Sequence, residues 1–241
     1  MSEAEAIQFR SDVTVELVKA TARDSDVIWA ARVSTKGESS LEDVDSDPEK
    51  ARGLINYLMR DRHGTPFEHT SLTYFVSAPI FVFREFMRHR IASYNEESGR
   101  YRELRPVFYV PGPDRNLVQQ GKPGAYEFVP GSPDQHEVVV AQTKAACTHA
   151  YEAYQAMLAA GVAREVARIV LPVSTYSSMY VTMNARALMN FLSLRTKHPD
   201  SHFPSFPQRE IEMVADLMEA EWAALMPITH AAFAANGRVA P

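Results

Sequence analysis

Apolar and polar positions alternate in two short segments of the chain, residues 12–19 (DVTVELVK) and residues 72–79 (LTYFVSAP). A shorter run, VFYVP, ends a third extended segment at Pro111. In the first segment, Val13, Val15 and Leu17 fall on one side of an extended backbone. Because side chains alternate between the two faces of a strand, the pattern predicts strands or extended segments at all three places.

Elsewhere the apolar residues recur at helical spacing. The predicted helices are residues 25–34, the segment from Pro48 towards Gly64, and residues 80–90, 136–161, 163–171, 184–195 and 208–226. Ser25 or Asp24 is suited to cap the first helix, and Asp47 to cap the second. Gly161 is suited to end the fourth helix. We expect the acidic run of residues 37–47 to be a solvated loop, and the Gly- and Pro-rich residues 112–133 to be an excursion from the fold.

Strands that come early and helices that come late favour the α+β class, with helices packed on one sheet. At 241 residues, 46% of them hydrophobic and 23% charged, the chain is long enough to bury a substantial core. The sequence contains no internal repeat and no low-complexity linker. We therefore predict a single catalytic domain over residues 1–241.

Charge and composition narrow the function further. The net charge of −5 gives no broad attraction for nucleic acid or for an anionic membrane. The first residues, MSEAEAIQFRSD, have neither a basic start nor an apolar run, and no 18-residue apolar segment follows. We expect a cytoplasmic protein that binds neither membranes nor nucleic acid. One cysteine allows no internal disulfide.

One stretch departs from the acidic average. Residues 88–103, RHRIASYNEESGRYRE, gather four arginines with a histidine, two serines and an asparagine. The chain has no G-x-G-x-x-G after a strand and no Walker A sequence, so phosphates would have to be held by side-chain cations. Arginine binds phosphate with two parallel hydrogen bonds and a permanent charge. The alternative is a solvated basic loop, although such a loop does not need hydroxyls, amides and a glycine at short spacing.

The same stretch resembles a known signature. RHRIASYNEESGRY is similar to the motif R-H-R-x-x-S-x-N-x-x-S-x-R-Y of the flavin-dependent (ThyX-type) thymidylate synthases. Four further blocks resemble that family in the same order, namely AARVS (30–34), HGTPFEH (63–69), AREVARIVLP (163–172) and NARALMNFLSLR (184–195). The resemblance implies a ThyX-like fold, with a central, mostly antiparallel sheet flanked by helices and a long helical C-terminal half.

The resemblance also implies a reaction. Members of the family methylate a uracil nucleotide at C5, most often dUMP to dTMP. They take the carbon from methylenetetrahydrofolate and the reducing equivalents from NADPH through bound FAD. The hydride chemistry belongs to the flavin, whereas the protein supplies binding, orientation and electrostatics. The resemblance further implies a homotetramer whose active sites are built from several subunits.

Carried over residue by residue, the resemblance assigns a cofactor role to twelve residues. These are Ser34, His63, Thr65, Glu68, Arg88, His89, Arg90, Asn95, Glu96, Asn184, Arg186 and Asn190. It assigns nucleotide binding to eleven, Glu85, Phe86, Met87, Arg88, Glu96, Glu97, Ser98, Gly99, Arg100, Arg168 and Arg195. Arg195 resembles the residue that hydrogen-bonds the pyrimidine edge and favours its ionised form. A guanidinium does not deprotonate, so its catalytic role would be electrostatic.

Ordinary structural roles compete with several of these assignments. Arg168 could simply pair with Glu165 on a helix surface, and Thr65 could belong to a capped turn. Arg186 and Asn190, spaced i,i+4, could be a solvent-exposed pair. The H-x-D-x-H run at residues 198–202 has a metal-like spacing, but its proline and the lack of further ligands favour a loop, and we predict no metal.

The cysteine separates this chemistry from the other type of thymidylate synthase, in which a cysteine attacks C6 of the pyrimidine. Cys147 lies on the apolar stripe of a predicted helix and has no neighbouring cation to stabilise a thiolate. We therefore predict a packing role for Cys147. A mechanism without an enzyme nucleophile is consistent with that role.

Two departures from the family pattern concern the nucleotide pocket. Glu85 stands where several relatives carry Gln, which places a carboxylate near the expected phosphate. Residues 196–208, TKHPDSHFPSFPQ, are longer and richer in proline than the family's short His-containing turn. The sequence leaves open whether the substrate is dUMP, or UMP or another uracil nucleotide in a specialised nucleoside pathway. A non-catalytic flavin- or nucleotide-binding protein is a further alternative.

Overall fold

The computed structural model describes residues 6–41, 47–122 and 125–241. Within these ranges the α-helices are α1 (Asp24–Lys36), α2 (Pro48–Arg60), α3 (Ile80–Phe86), α4 (Pro133–Ala159), α5 (Arg164–Ala167), α6 (Ala185–Arg195), α7 (Arg209–Leu225) and α8 (Pro227–Ala235). The strands are β1 (Gln8–Arg10), β2 (Thr14–Thr21), β3 (Ser71–Pro79), β4 (Ser93–Glu96), β5 (Val107–Tyr109), β6 (Val118–Lys122), β7 (Ala125–Val129) and β8 (Tyr176–Met183). Short 3-10 helices cover Gly37–Leu41, Thr65–His69 and Arg168–Val170.

The strands form one larger sheet and two pairs. The four-stranded sheet has the order β2-β3-β8-β4, and mixed helices with an antiparallel sheet confirm the predicted α+β class. Strand β1 pairs with β5 in parallel, and β6 and β7 form an antiparallel pair. Along β3 every second residue from Leu72 to Ala78 is buried, as the alternating pattern predicted.

By its contacts the chain divides into two compact units, each assembled from separate stretches of sequence. Unit 1 contains residues 1–13, 77–85 and 96–179, of which residues 6–13, 77–85, 96–122 and 125–179 are described. Unit 2 contains residues 14–76, 86–95 and 180–241, of which residues 14–41, 47–76, 86–95 and 180–241 are described. The prediction of one domain over residues 1–241 stays a prediction.

The core of unit 1 is aromatic. Val107, Tyr109 and Tyr176 form a buried cluster against which Phe81 packs, and the rings of Phe81 and Tyr109 meet edge to face at 5.5 Å. The hydroxyl of Tyr176 donates a hydrogen bond to the backbone oxygen of Asp12 at 2.5 Å. Burial of an aromatic ring together with its satisfied hydroxyl stabilises this unit on both counts.

The core of unit 2 is built by helices. Trp222 of α7 is fully buried and meets the rings of His230 and Phe233 of α8 edge to face, at 5.3 and 5.9 Å. Asp24 joins α1 to the start of α8, since its carboxylate accepts hydrogen bonds from the backbone N–H groups of Ile228 and Thr229. These are two of the N–H groups that a helix leaves unpaired at its start, so Asp24 caps α8.

The helix ends agree with the sequence in part. Asp47 accepts hydrogen bonds from the N–H groups of Glu49 and Lys50, which confirms it as the cap of α2. Gly161 follows α4 with a φ of 81°, the left-handed conformation that suits glycine, which confirms the predicted stop. The first predicted cap was wrong, because the N-cap of α1 is Arg23 and Asp24 serves α8 instead.

Four other segments differ in extent or type from the sequence prediction. The helix predicted over residues 80–90 ends at Phe86, so Arg88–Arg90 lie in the turn that follows. The helix predicted over residues 163–171 is a short α5 continued by a 3-10 turn. Residues 37–41 form a 3-10 helix, whereas residues 42–46 of the predicted acidic loop lie outside the described part of the chain. The Gly- and Pro-rich excursion contains the strands β6 and β7.

Candidate active site

The turn after α3 presents two exposed arginines. Phe86 ends the helix and stacks on Phe191 of α6 with ring centroids 4.6 Å apart. The hydroxyl of Tyr94 then fixes the turn, since it lies 2.7 Å from the backbone oxygen of His89 and 3.0 Å from that of Phe86. Arg88 and Arg90 point into solvent and have no hydrogen-bond or ion-pair partner within the described residues. Their guanidinium groups are therefore available to an anion.

His89 faces the other way and contacts Arg195 at the end of α6. The Nε–H of Arg195 donates a hydrogen bond to Nε2 of His89 at 3.1 Å. Burial, together with the positive charge of Arg195, lowers the pKa of His89 to about 4. The imidazole is therefore neutral near pH 7, accepts at Nε2 and carries its proton on Nδ1. A neutral acceptor orients the guanidinium without cancelling its charge.

A second arginine of α6 lies against the block at residues 63–69. Arg186 donates from Nη1 to Glu68 at 2.5 Å and from Nε to the oxygen of Pro241 at 2.6 Å. Gly64 lies beside it, and a Cβ at this position would come within 2.6 Å of Cζ of Arg186 and 2.7 Å of the Pro241 oxygen. Glycine is thus required here by the close approach of Arg186 to the backbone.

The remaining cofactor candidates of unit 2 make local contacts. Asn184 is the N-cap of α6 and accepts from the N–H of Ala187 at 2.8 Å, while Asn190 donates to the backbone oxygen of Arg186 at 3.1 Å. The hydroxyl of Ser34 in α1 donates to the backbone oxygen of Ala31. The other three make no contact with one another: His63 packs edge to face on Tyr57, Thr65 begins a 3-10 helix, and Asn95 is exposed. Met87, a nucleotide candidate of the same unit, is also exposed.

In unit 1 the second half of the signature forms a tight turn. The N–H groups of Tyr101 and Arg102 both donate to the backbone oxygen of Ser98, and its hydroxyl accepts from the N–H of Arg100. The start of the turn is tied down by the N–H of Glu97, which donates to the backbone oxygen of Ser178 in β8 at 2.8 Å. A turn of this kind holds several polar groups within a few residues of each other.

Two ion pairs flank this turn and leave one arginine without a partner. Arg100 pairs with Glu165 at 2.9 Å, and Arg102 pairs with Glu97 at 3.1 Å. Because Glu165 is occupied by Arg100, the alternative pairing of Arg168 with Glu165 was wrong. Within the described part of unit 1, Arg168 has no hydrogen-bond or ion-pair partner.

Gly99 brings the turn against the stem of Arg168. A Cβ at Gly99 would lie 2.9 Å from Cδ1 of Leu104 and 3.2 Å from Cδ of Arg168, closer than ordinary contacts allow. The glycine therefore sets how near Arg168 comes to the Ser98 turn. The guanidinium of Arg168 and the Ser98 turn beside it are therefore a candidate anion-binding surface in unit 1.

The carboxylate of Glu96 is held beside that surface. Burial raises the pKa of Glu96 above its ordinary value, and the neighbouring charge of Glu97 adds to this effect. A hydrogen bond with Ser177 and the positive charge of Arg168 oppose it. The carboxylate of Glu96 thus senses the charge of Arg168, and an anion bound to Arg168 would compete with Glu96 for that charge. Glu85, the other acidic candidate of unit 1, lies partly buried in α3.

The described residues contain neither a metal-like cluster nor a long apolar helix. In the three ranges that the structure covers, no three His, Cys, Asp or Glu side chains converge as a metal site would require. His198 accepts a local hydrogen bond from the N–H of Asp200, and His202 packs on Phe203. Over the same ranges, no helix has the length and apolar character needed to cross a membrane.

Arg88 and Arg90, exposed and without a partner in the described chain, lie in a stretch that resembles the signature of flavin-dependent enzymes, and the fold that carries them is of the α+β class. These features indicate an enzyme of the flavin-dependent, nucleotide-binding class. The chain matches the family described as "Thymidylate synthase complementing protein" (Thy1) over residues 16–228 and belongs to it. It is 70% identical to the flavin-dependent thymidylate synthase of Streptomyces coelicolor over 236 residues, 98% of this chain and 96% of that protein. It is 58% identical to the enzyme of the same name from Tropheryma whipplei strain TW08/27, over 97% of each chain. The expected family is confirmed.

Solved structures agree with the fold. The chain is similar to a UMP/dUMP methylase, PolB, from Streptomyces cacaoi, solved with 5-Br UMP and with 5-Br dUMP. The two comparisons give TM-scores of 0.91 and 0.93 at 57% and 59% identity, and each covers 98% of this chain and all of PolB. The expected ThyX-like fold is confirmed.

Sequence reasoning missed how the arginines are held. Nothing in the spacing of residues 89 and 195 signals that they touch, because the contact is made by folding across 106 positions. It also missed Arg238, which is buried and bonds to Thr196, the residue after Arg195. A lone arginine in GRVAP carries no pattern that would mark it as buried. The Gly-Arg pair after α8 was the one available signal of a left-handed turn.

Proposed function

We propose that this chain methylates C5 of a uracil nucleotide reductively, converting dUMP to dTMP. Methylenetetrahydrofolate and NADPH are the proposed co-substrates, and FAD is the proposed flavin. The observation that carries the proposal is the partly buried Arg195 guanidinium held by the neutral His89 ring, 3.1 Å away. A permanent cation with a fixed orientation is suited to stabilise negative charge on a pyrimidine carbonyl and its neighbouring nitrogen.

The donor groups present fit a flavin dinucleotide. Arg88 and Arg90 are exposed, have no partner in the described chain and lie in a turn fixed by Tyr94, so they are suited to bind a pyrophosphate. The exposed amide of Asn95 and the amide of Asn190 add neutral donors of the kind that bind a flavin ring or ribose. Bound FAD would carry the hydride from NADPH, and the chain's own groups bind and orient it.

Arg168 and the Ser98 turn are the proposed nucleotide phosphate site. The guanidinium of Arg168 is unpaired in the described part of the chain, and Gly99 holds it against the turn. Arg100 pairs with Glu165 and Arg102 pairs with Glu97. Arg168 is therefore the arginine of this group whose charge is not already paired within the described residues, and we propose it as the phosphate ligand. Cys147 takes no part: it is 2% exposed, and its Sγ lies 3.3 Å from the hydroxyl of Ser174.

UMP is the second candidate substrate. It is favoured by the similarity to PolB, a UMP/dUMP methylase whose structure has been solved with 5-Br UMP and with 5-Br dUMP. A 2′-hydroxyl needs a little room and one hydrogen-bond partner, so the two nucleotides differ by a small free energy unless the site excludes one of them. We place dUMP first because the curated relatives at 70% and 58% identity are named thymidylate synthases.

The assembly and location belong to the same proposal. We infer a homotetramer whose sites combine residues of several subunits, acting in the cytoplasm. The exposed apolar side chains beside the signature, among them Ile91, Tyr101 and Ile169, support association between subunits.

A turnover assay tests the proposal directly. The purified enzyme is supplied with FAD, NADPH and methylenetetrahydrofolate, and product formation is followed with dUMP and separately with UMP. We expect dTMP formation and a larger kcat/KM for dUMP than for UMP. A larger kcat/KM for UMP would replace dUMP with the second candidate. Flavin binding without methylation of either nucleotide would contradict the catalytic function.

A further inference from the structure

The last residues of unit 2, Gly237–Pro241, run along α6 and bond to structures at both of its ends. We call these five residues the strap. At the C-terminal end of α6, Arg238 donates from Nη2 to the hydroxyl of Thr196 at 2.9 Å. At the N-terminal end, the oxygen of Pro241 accepts from Nε of Arg186 at 2.6 Å. The helix that carries Arg186 and Arg195 is thus held by one short segment.

The strap is itself firmly fixed. Arg238 is 3% exposed and forms a two-oxygen ion pair with Glu219 of α7, at 2.7 and 2.6 Å. His230 of α8 shares the same carboxylate at 2.9 Å. Arg238 also has a φ of 55°, a left-handed conformation that is unfavourable for a residue other than glycine. A conformation of this kind persists only when the surrounding contacts determine it.

Thr196 connects the strap to the backbone next to Arg195. It is 3% exposed, is the C-cap of α6, and its hydroxyl donates to the backbone oxygen of Leu192 at 2.7 Å while accepting from Arg238. The backbone oxygen of Thr196 also accepts from the hydroxyl of Ser205, so the 196–208 segment is tied to the same residue. The adjacent Arg195 leaves the helix from this point towards His89.

We propose that Arg238 and Glu219 are positioning residues for the methylation, acting through Thr196 on the orientation of Arg195. Neither side chain is assigned to the nucleotide or flavin site. The strap and His89 hold Arg195 from two sides: the strap fixes the backbone after it, and His89 receives its Nε–H at 3.1 Å. This inference rests on the proposed function, because it takes Arg195 as the pyrimidine contact.

The sharpest variant is Thr196→Val, which removes the hydroxyl that links Arg238 to α6 and leaves the Arg238–Glu219 pair intact. We expect methyl transfer at saturating dUMP to fall about 5- to 20-fold, and dUMP to bind more weakly, because Arg195 loses part of its preorganisation. Flavin retention and flavin reduction by NADPH should stay within about twofold of the wild-type enzyme. Arg238→Lys should give the same split, since one ammonium cannot bond Glu219 and Thr196 with the same fork.

The matched control is Thr182→Val. It removes one partner of a partly buried hydrogen bond between two threonine hydroxyls, Thr182 and Thr73 at 2.9 Å, and neither residue bonds to the strap. This control should lower the melting temperature comparably and leave methyl transfer unchanged. If Thr196→Val and Thr182→Val reduced methyl transfer equally, the role would be stability alone and the proposal would be overturned.

A double-mutant cycle decides whether Thr196 acts through Arg195. In an Arg195→Ala background, Thr196→Val should change methyl transfer by less than about twofold, because the residue it positions is already gone. Full additivity of the two losses would overturn the proposal. If Thr196→Val fails to fold, Arg238→Lys enters the same cycle.

The two hypotheses fail in different ways. A wild-type enzyme that binds dUMP without methylating it contradicts the proposed function, and dUMP binding by Thr196→Val, measured by calorimetry, then decides the positioning role. Unchanged dUMP affinity in that variant would overturn it. Absence of dUMP binding by the wild-type enzyme would overturn both.

Discussion

At the scale of single residues, the neighbours of each arginine decide what its charge can do. Arg238 is buried and its charge is neutralised by Glu219, so Arg238 has a structural role and does not bind a ligand. Arg100 is half exposed and paired with Glu165, which adds little stability. Arg195 donates its Nε–H to an uncharged ring, which leaves the charge of the guanidinium uncancelled by that contact, and Arg168 has no hydrogen-bond or ion-pair partner in the described chain.

Arg195→Ala should therefore separate methyl transfer from flavin chemistry. We expect methyl transfer to fall roughly 10²- to 10³-fold, the cost of removing one preorganised donor, while FAD stays bound and NADPH still reduces it. Stopped-flow absorbance of the flavin and an assay of dTMP measure the two steps separately. Arg195→Lys should restore little, because a point charge does not reproduce a planar, two-donor contact. Near-normal methylation by Arg195→Ala would refute the pyrimidine assignment.

Gly64 provides a second test at this scale. In Gly64→Ala the new Cβ would lie 2.6 Å from Cζ of Arg186, so the guanidinium must leave Glu68 and Pro241. We expect weaker flavin retention, measured by the absorbance of flavin released on dilution, and a loss of stability on the order of 1–3 kcal/mol.

Gly53→Ala is the matched control for that variant. Gly53 lies inside α2, and a Cβ there meets nothing within 4 Å, so alanine should raise stability by about 0.5–1 kcal/mol and leave the flavin bound. Equal flavin retention by Gly64→Ala and Gly53→Ala would show that Arg186 is not needed by the cofactor.

The sequence predicts which residues belong to the site better than it predicts which of them contact each other. The signature was recognised from its spacing, but the local pattern placed Arg88–Arg90 at the end of a helix, whereas the structure places them in the turn that follows Phe86. Contacts between distant segments, such as Arg195 with His89 or Glu68 with Arg186, depend on how elements pack. The spacing also suggested Glu165 as the partner of Arg168, but the fold gives Glu165 to Arg100.

At the scale of elements, local patterns worked where one face is buried. The alternation of β3 and the capped start of α2 were recognisable because each has a clear polar side. Strand β8 was missed: it follows a proline-containing turn and reads as polar, YSSMYVTM, although most of its residues are buried. The helix predicted to reach Arg90 stops at Phe86 because Phe86 and Tyr94 fix a turn there, a tertiary effect that periodicity does not contain.

Asp24 gives a prediction at the same scale. Its carboxylate bonds two backbone N–H groups at the start of α8 and the hydroxyl of Thr229, at 2.6 to 3.0 Å. Asp24→Ala should destabilise the protein by about 1–2 kcal/mol, because the start of α8 loses its cap. Urea unfolding followed by circular dichroism measures the change. The exposed Asp134 is the control, since Asp134→Ala removes a carboxylate from the first turn of α4 without touching α8; an equal loss in both variants would exclude a specific cap.

At the scale of the whole molecule, Glu219 links pH to stability. Burial alone would raise its pKa, but hydrogen bonds from His230 and Arg238 outweigh burial and lower the pKa of Glu219 to about 2. The pKa of Asp216 is raised by burial, and the negative charges of Glu212 and Glu219 add to this effect. Because the folded pKa lies below the unfolded one, the stability from Glu219 is fully present above about pH 4.5 and is lost as the pH falls through 2.

Thermal unfolding between pH 7 and pH 2 checks this. The melting temperature of the wild-type protein should fall steeply below about pH 4.5, whereas Glu219→Gln should be less stable at pH 7 and show a shallower fall. All other titrating groups are shared by the two proteins, so the difference between the curves isolates Glu219. Parallel curves would contradict the assigned pKa.

The division of unit 2 among three stretches of sequence governs the order in which the protein can be completed during translation. Unit 1 ends at Met179, so its core can close while the last stretch of unit 2 is still being synthesised. Asp24 leaves the ribosome 205 residues before Thr229, whose N–H it bonds, a delay of roughly 10–40 s at elongation rates of about 5–20 residues per second. During that interval α1 and β2 lack their partners from α7 and α8, so their apolar side chains stay exposed for longer than those of unit 1.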